Sequence, residues 1–302
     1  MRVGIMPNPS PIAAKISDLI SLRFLWPSRK FALRLAALAL CVSVAQAAPY
    51  DARSVLLRHR VEGIVFVEDA ESGAVLADAE TGSGRQEGIL PLSTTKLLLE
   101  AIALERGVPA DLDRLIAQGV DNDGRNLALA LRHRFGSAAV LDDLSRLGFP
   151  ACGARETPGC FSLSPETPDA EWASALSLGE TDIRVAPAQL AGFLRIVARD
   201  GMGDHGRVLG VESARALRHA MIETVESGSA KSIAGLVPKG FAIGGKTGTG
   251  PAASHPYDGI FAGVWIAGEH RASFVVYIRH GGKGGALPAK IAVEIMRTMG
   301  GR

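Results

Sequence analysis

From residue 63 the chain passes from short apolar runs separated by polar turns to long stretches with helical spacing. "GIVFVEDAESGAVLADAE" is apolar from Ile64 to Val67 and again from Val75 to Ala77. The Ala-Glu-Ser-Gly between the two runs supplies a turn ending at Gly73, so the pattern predicts a β-hairpin. "PLSTTKLLLEAIALERG" follows, with Ser93 as a natural N-cap, a helix expected over Thr94 to Arg106, and Gly107 as its stop. Leu97, Leu98, Leu99, Ala101, Ile102, Ala103 and Leu104 make that helix apolar nearly all round, which predicts burial in the middle of a domain. A core helix that opens with hydroxyls and a lysine needs a reason.

Helical patterns continue through residues 110–118, 126–134 and 137–147. In "VAPAQLAGFLRIVARDG" Pro187 marks a helix start, and Leu190, Phe193, Leu194 and Val197 share one face. The tail returns to three apolar runs, "KGFAIGGKTGTG", "IFAGVWIAG" and "ASFVVYIRH", and closes with a helix in "ALPAKIAVEIMRTMG". If the early hairpin and the late strands share one sheet, both ends of the chain build one layer. The expected class is α/β (α+β): a mainly antiparallel sheet flanked by helices, with an all-helical lobe at about 108–180.

Length and composition change this picture little. With 302 residues, 47% of them apolar and 5% aromatic, the chain has ample material for a core, and its composition singles out no function. The N-terminus says more. In "RKFALRLAALALCVSVAQAA", Arg29, Lys30 and Arg34 precede an apolar run from Leu35 to Val44, and Ala45-Gln46-Ala47 forms a small-x-small cleavage site. The run is shorter than the roughly 20 residues of a comfortable membrane span. Residues 1–47 are therefore expected to be a signal peptide or an uncut N-terminal anchor, and 48–302 the exported domain, periplasmic or on the outer face of the cytoplasmic membrane. Leu40 before Cys41 argues against a lipoprotein anchor.

The leader holds six of the 33 Lys and Arg residues and one of the 31 acidic ones, so the remainder carries 27 basic and 30 acidic residues, near −3 rather than +2. No basic block is left to follow a phosphate backbone, which excludes a nucleic-acid partner from the expectations. Export also places the cysteines in an oxidising compartment. Cys152 and Cys160 flank the short loop "GARETPG" and are expected to form a disulfide.

"GFAIGGKTGTG", Gly240 to Gly250, admits two chemistries. Its first eight letters satisfy the phosphate-loop pattern G-x-x-x-x-G-K-[ST]. That loop needs a helix immediately after it, with its N-terminus facing the phosphates. Here Thr247 is followed by "GTGPAASHPYDG", which has little helix propensity, and no later strand ends in an acidic residue placed for magnesium. The other chemistry is a Lys-Thr-Gly strand serving an acylated serine. An acylating serine needs a neighbouring base. Ser93-Thr94-Thr95-Lys96 provides one, because residues i and i+3 of a helix share a face. Burial and a nearby cation favour the neutral amine that could act as base. For this composition roughly 0.6 Ser-x-x-Lys matches and about 0.03 Lys-Thr-Gly matches are expected by chance. Each occurs once, in the order and setting the chemistry requires.

With both motifs in place, the chain resembles the penicillin-recognising serine enzymes, the penicillin-binding protein transpeptidases and serine β-lactamases. The likeness runs through "GIVFVEDAESGAVLA", "STTK", "GETDIRVAPAQLAGFLRIVARDG", "GGKTGTG", the two closing strands and the last helix. It implies Ser93 as nucleophile, Lys96 as its base and Lys246 as a positive charge in the cleft. It also implies Thr247, Gly248 and Thr249 in holding the substrate carboxylate and the oxyanion, with the N–H groups of Ser93 and Thr249 as the oxyanion hole. The implied activity is acyl transfer from D-alanyl-D-alanine stem peptides of peptidoglycan, by transpeptidation or carboxypeptidation. β-Lactams are the implied inhibitors or substrates; no cofactor and no metal are implied. A class D-like β-lactamase, which needs a carboxylated Lys96, and a non-catalytic binder of cell-wall peptides or β-lactams remain open.

One departure stands out. The family carries a second motif, Ser-x-Asn or a close variant, on the helical lobe, yet no serine occurs from 97 to 136. Gly124-Arg125-Asn126 occupies the expected site, which would keep Asn126 and lose the hydroxyl. Asp123 with Arg125 is a second placement, and Val120-Asp121-Asn122 a third. The missing hydroxyl normally helps relay a proton to the leaving group. Elsewhere, Ser83, Ser145 and His255 read as surface or loop residues, Trp172 and Trp265 as packing, and Glu166 and Glu180 as solvated loop positions, with lining of the cleft as the alternative for both glutamates.

Overall fold

A computed structural model describes residues 49–82, 88–152, 159–180, 183–251 and 256–300. The leader, Ser83 and His255 lie outside the described residues. The described chain begins with helix α1 (Ala52–His59) and the hairpin β1 (Gly63–Asp69) and β2 (Val75–Thr81). After a 3₁₀ turn at Leu92–Thr94 comes α2 (Thr95–Glu105). A π-helical turn (Asp113–Gln118), α3 (Asp121–Phe135), α4 (Ser137–Arg146) and α5 (Asp169–Leu178) follow. Two short strand pairs, β3 (Cys160–Phe161) with β4 (Ile183–Arg184) and β5 (Met202–Gly203) with β6 (Gly206–Arg207), brace the connections. Helices α6 (Pro187–Ala198) and α7 (Val211–Glu226) lead to β7 (Phe241–Gly250), β8 (Asp258–Ala267), β9 (His270–Ile278) and α8 (Leu287–Gly300).

The hairpin and the late strands do share one sheet. Its order is β2-β1-β9-β8-β7, antiparallel at every pairing, with Phe66 opposite Val275 and Lys246 opposite Ala262. The first long strand of the chain thus lies against the last, which closes the layer with sequence-distant partners. Because successive side chains of a strand point to opposite faces, β1 feeds two cores. Ile64 and Phe66 pack in the larger one, with α2, α6 and the lobe helices. Val65 and Val67 pack in the smaller one, with α1 and α8. Helices on both faces explain why β1 is buried almost throughout, where a sheet with one wet face would show alternating polarity. Trp172 and Trp265 are both buried in these cores, and Ser145 is exposed on α4. No helix among the described residues is long and apolar enough to cross a membrane.

Helix α2 is buried from Thr95 to Ala103, including Lys96 and Glu100. Its start differs from the sequence expectation: Ser93 does not cap it. Leu92 has a left-handed φ of 51°, and its N–H donates to Gly179 O at 3.0 Å. The Thr94 hydroxyl donates to Pro91 O (2.6 Å) and the Thr95 hydroxyl to Leu92 O (3.1 Å). Those two hydroxyls stitch the turn to itself, and Ser93, half-buried, keeps its hydroxyl for other use. A bulky residue held at positive φ costs of order 1–3 kcal/mol and persists only where packing imposes it.

Cys152 and Cys160 are joined by a disulfide, next to the backbone bond from Cys152 N–H to Phe161 O. Closing so short a loop removes chain entropy from the unfolded state. Replacing both cysteines by serine is expected to lower the unfolding free energy by roughly 2–3 kcal/mol. Urea denaturation with and without reductant checks this, and the serine variant should no longer respond to the reductant.

Candidate active site

Three segments meet at one crevice: the 3₁₀ turn and first residues of α2, the 119–121 stretch joining the π turn to α3, and edge strand β7. On β7, Gly244, Lys246 and Gly248 share a face. A Cβ at Gly244 would lie 2.7 Å from the backbone of α7, and one at Gly248 would lie 2.7 Å from Leu92 Cβ and 3.2 Å from Ser93 N. Glycine at 248 therefore lets the strand touch the turn carrying Ser93. Lys246, between the two glycines, sends the one long side chain of this face into the crevice, and its Nζ ends beside Gly119 while donating to Thr247 O at 3.1 Å.

Lys96 enters the same crevice from α2. Its Nζ, fully shielded from water, donates to Gly119 O at 3.0 Å and to Asp121 Oδ1 at 2.5 Å, and lies 3.4 Å from Ser93 Oγ. Gly124 on α3 makes room for this side chain, since a Cβ there would stand 3.0 Å from both Lys96 Cε and Ser177 Cβ. Burial holds the Lys96 amine below the ordinary lysine range; the Asp121 carboxylate pulls the other way, and Arg125 adds to the lowering. Lys246 is pushed down further, to about 7, by burial first and by the Lys96 charge second, with Asp121 offsetting part of the effect. The Lys96 charge thus makes the Lys246 amine easier to deprotonate.

The remaining expected residues fall as follows. Thr247 Oγ1 shares a 2.7 Å hydrogen bond with Ser229 Oγ, and Thr249 Oγ1 accepts from Gly284 N–H at 3.1 Å. Asn126 is the exception: it is exposed on α3, two positions past the buried Gly124, while the carboxylate of Asp121 reaches Lys96. Helix geometry gives the reason. Asp121 opens α3 beside Gly119 and points into the crevice, and residue 126, more than a turn later, has rotated away. None of the three placements drawn from the sequence put residue 121 itself against the lysine. The phosphate-loop alternative fails on backbone form, because Lys246 and Thr247 sit in mid-strand, paired with β8 along their whole length. Among the described residues no cluster of three or more His, Cys, Asp or Glu could hold a metal ion.

A family model for the penicillin binding protein transpeptidase domain matches residues 153–297. These include β7 with Lys246-Thr247-Gly248; Ser93 and Lys96 precede them. No curated protein sequence matches the chain. Solved structures do. The transpeptidase domain of FtsI4 D,D-transpeptidase from Legionella pneumophila is 20% identical with a TM-score of 0.66, covering 82% of this chain and 92% of that one. The D,D-transpeptidase domain of a peptidoglycan glycosyltransferase from Eggerthella lenta is 17% identical with a TM-score of 0.67, covering 82% and 79%. PBPA from Mycobacterium tuberculosis is 16% identical with a TM-score of 0.64, covering 78% and 76%. Residues 153–297 thus match the penicillin binding protein transpeptidase domain, and the chain shares the fold of these solved transpeptidase domains.

Within this transpeptidase fold, two residues near the motifs escaped sequence reading. Asp121 was obscured because no serine from 97 to 136 sets a register for the stretch around it. Ser229 lies 18 residues before Thr247 and meets it only because the loop after α7 folds back onto the π turn, where Ser229 N–H donates to Ala117 O. Glu180 is half-buried rather than solvated: a Cβ at Gly250, at the end of β7, would come within 2.7 Å of its carboxylate.

Two substitutions on the same face of β7 should act in opposite directions. Lys246 has its proton affinity lowered on folding, from 10.5 to about 7. Between those pH values the unfolded chain binds more protons, so this group makes stability rise with pH across that window. Lys246→Met is expected to melt higher than the parent at pH 6–7, by roughly 2–4 °C per kcal/mol of relieved desolvation. The advantage should shrink toward pH 10. Gly248→Ala is expected to cost about 1–3 kcal/mol through overpacking against Leu92 and Ile260. Thermal melts of both variants at pH 6, 8 and 10 check the two signs.

Proposed function

We propose that the protein is a serine acyltransferase acting on D-alanyl-D-alanine stem peptides of peptidoglycan, with Ser93 as nucleophile and Lys96 as its base. The observation that carries this reading is the 3.4 Å approach of Lys96 Nζ to Ser93 Oγ at the head of a buried helix. An uncharged Lys96 amine takes the Ser93 proton as Oγ bonds to the peptide carbonyl carbon. The amide C–N bond then breaks, and the leaving nitrogen takes the proton. Attack on the resulting ester by an amine completes transpeptidation, and attack by water completes carboxypeptidation. The N–H groups of Ser93 and Thr249 receive the oxyanion, a contribution often worth a few kcal/mol of barrier.

The substrate's terminal carboxylate fits the charge of Lys246 together with the Thr247 hydroxyl, which Ser229 orients. With its proton affinity near pH 7, Lys246 is poised between its two forms, and an arriving carboxylate favours the charged one. Among the described residues no strand pairs with the outer edge of β7, so an extended peptide can pair along it. β-Lactams acylate the same serine. The leader, as signal peptide or anchor, delivers the domain to peptidoglycan outside the cytoplasm.

A binding-only reading is favoured by one observation: the Asp121 carboxylate on Lys96 stabilises the ammonium, which cannot accept a proton. The class D reading is weaker, because the carbamate it needs on Lys96 would stand beside that same carboxylate. A fluorescent penicillin separates the three. Covalent labelling that survives denaturation and falls at least 100-fold in Ser93→Ala is the expected outcome. Reversible binding unchanged in Ser93→Ala supports the binder, and rapid loss of label with hydrolysed drug supports the β-lactamase.

A further inference from the structure

Lys96 Nζ has three oxygen neighbours: Gly119 O, Asp121 Oδ1 and Ser93 Oγ. Together with Cε they account for all four directions around the nitrogen. Two of the three, a carbonyl and a carboxylate, have no hydrogen and can only accept; only the Ser93 hydroxyl has a hydrogen to give. An ammonium fills this cage with three donated hydrogens. An uncharged amine has two hydrogens and one lone pair, and just one arrangement satisfies every neighbour.

We propose that Asp121 is a positioning residue for Lys96: its carboxylate and the Gly119 carbonyl take up the two N–H bonds of the uncharged amine and leave the lone pair directed at Ser93 Oγ. The inference rests on the acyl-enzyme reading of Ser93 and deepens it, by assigning a residue that stands where the second-motif hydroxyl is missing. A hydroxyl there could donate its own hydrogen to the lone pair and compete with Ser93; an ionised carboxylate cannot. In the proton transfer the Ser93 O–H bond breaks and a third Nζ–H bond forms. The ammonium produced is held by Asp121 until the leaving nitrogen takes that proton back.

The carboxylate has a second consequence. Its charge favours the ammonium, so it raises the pH at which Lys96 becomes competent, against the burial that lowers it. The other charged groups acting at this point are Lys246 from β7 and Arg125 and Asp123 from α3; Arg114 of the π turn is paired with Asp123. The side chain of Asp121 is 57% exposed, so the carboxylate keeps contact with water and its replacement opens no core cavity.

The test uses the whole chain, as parent, Asp121→Asn and Asp121→Ala, with two readouts. One is the pH dependence of the acylation rate with fluorescent penicillin. The other is the titration of Lys96 by NMR of protein labelled with ¹³C at lysine Cε, the Lys96 resonance being assigned by its loss in Lys96→Arg. Asp121→Asn retains an acceptor oxygen and loses the charge. Its Lys96 is expected to give up the proton at lower pH than the parent, and the rising limb of the acylation profile should move down with it. Asp121→Ala removes the acceptor, and its plateau rate is expected to fall about tenfold or more. An unchanged Lys96 titration in Asp121→Asn, or an unchanged plateau in Asp121→Ala, overturns the proposal. A parent that is never labelled, but whose Lys96 titration responds to Asp121→Asn, upholds the Asp121–Lys96 coupling and overturns the acyl-enzyme reading instead.

Discussion

Two lysine amines, Lys96 from helix α2 and Lys246 from strand β7, end in one crevice with almost no access to water. Charges so placed are expensive, and two of the same sign more so. The protein meets the cost by letting both give up their protons more easily and by setting one carboxylate, Asp121, where it acts on each. The chemistry open to the site follows from that constraint. A buried amine that sheds its proton can be a base, and a second that can regain one is a receptor for an anion.

The packing exists to keep this crevice narrow. Gly248 lets β7 meet the turn that carries Ser93, and Gly124 lets α3 close over Lys96. The turn itself is held in an unfavourable backbone conformation at Leu92, tied to Gly179 and to its own threonine hydroxyls. Around it, the largely apolar α2 and the double-sided sheet supply the frame. A core helix can open with hydroxyls and a lysine because its first turn faces the crevice and the rest faces the core.

Much of the fold was legible from periodicity. The hairpin, the apolar helix, the Pro187 helix and the three closing strands each carry a local pattern that tertiary contacts reinforce. The start of α2 was less legible, since a Ser-Thr-Thr run offers several equivalent caps and packing against Gly179 chose among them. The third motif was recognisable because Lys-Thr-Gly is rare by chance and occupies a strand. The expected second motif was not, because no serine occurs from 97 to 136 and the acidic, arginine-containing stretch there allows several registers.

The sequence by itself determined which atoms could do the chemistry: a hydroxyl and an amine one helical turn apart, and a lysine between glycines on a strand. Those are short-range facts, set by the 3.6-residue and two-residue periods of helix and strand. Only the tertiary structure decided that the two lysines share a crevice, that Ser229 meets Thr247, and that Asp121 rather than Asn126 faces the amine. These contacts join residues 18 or more positions apart, brought together by sheet closure and helix packing, and no local period encodes them.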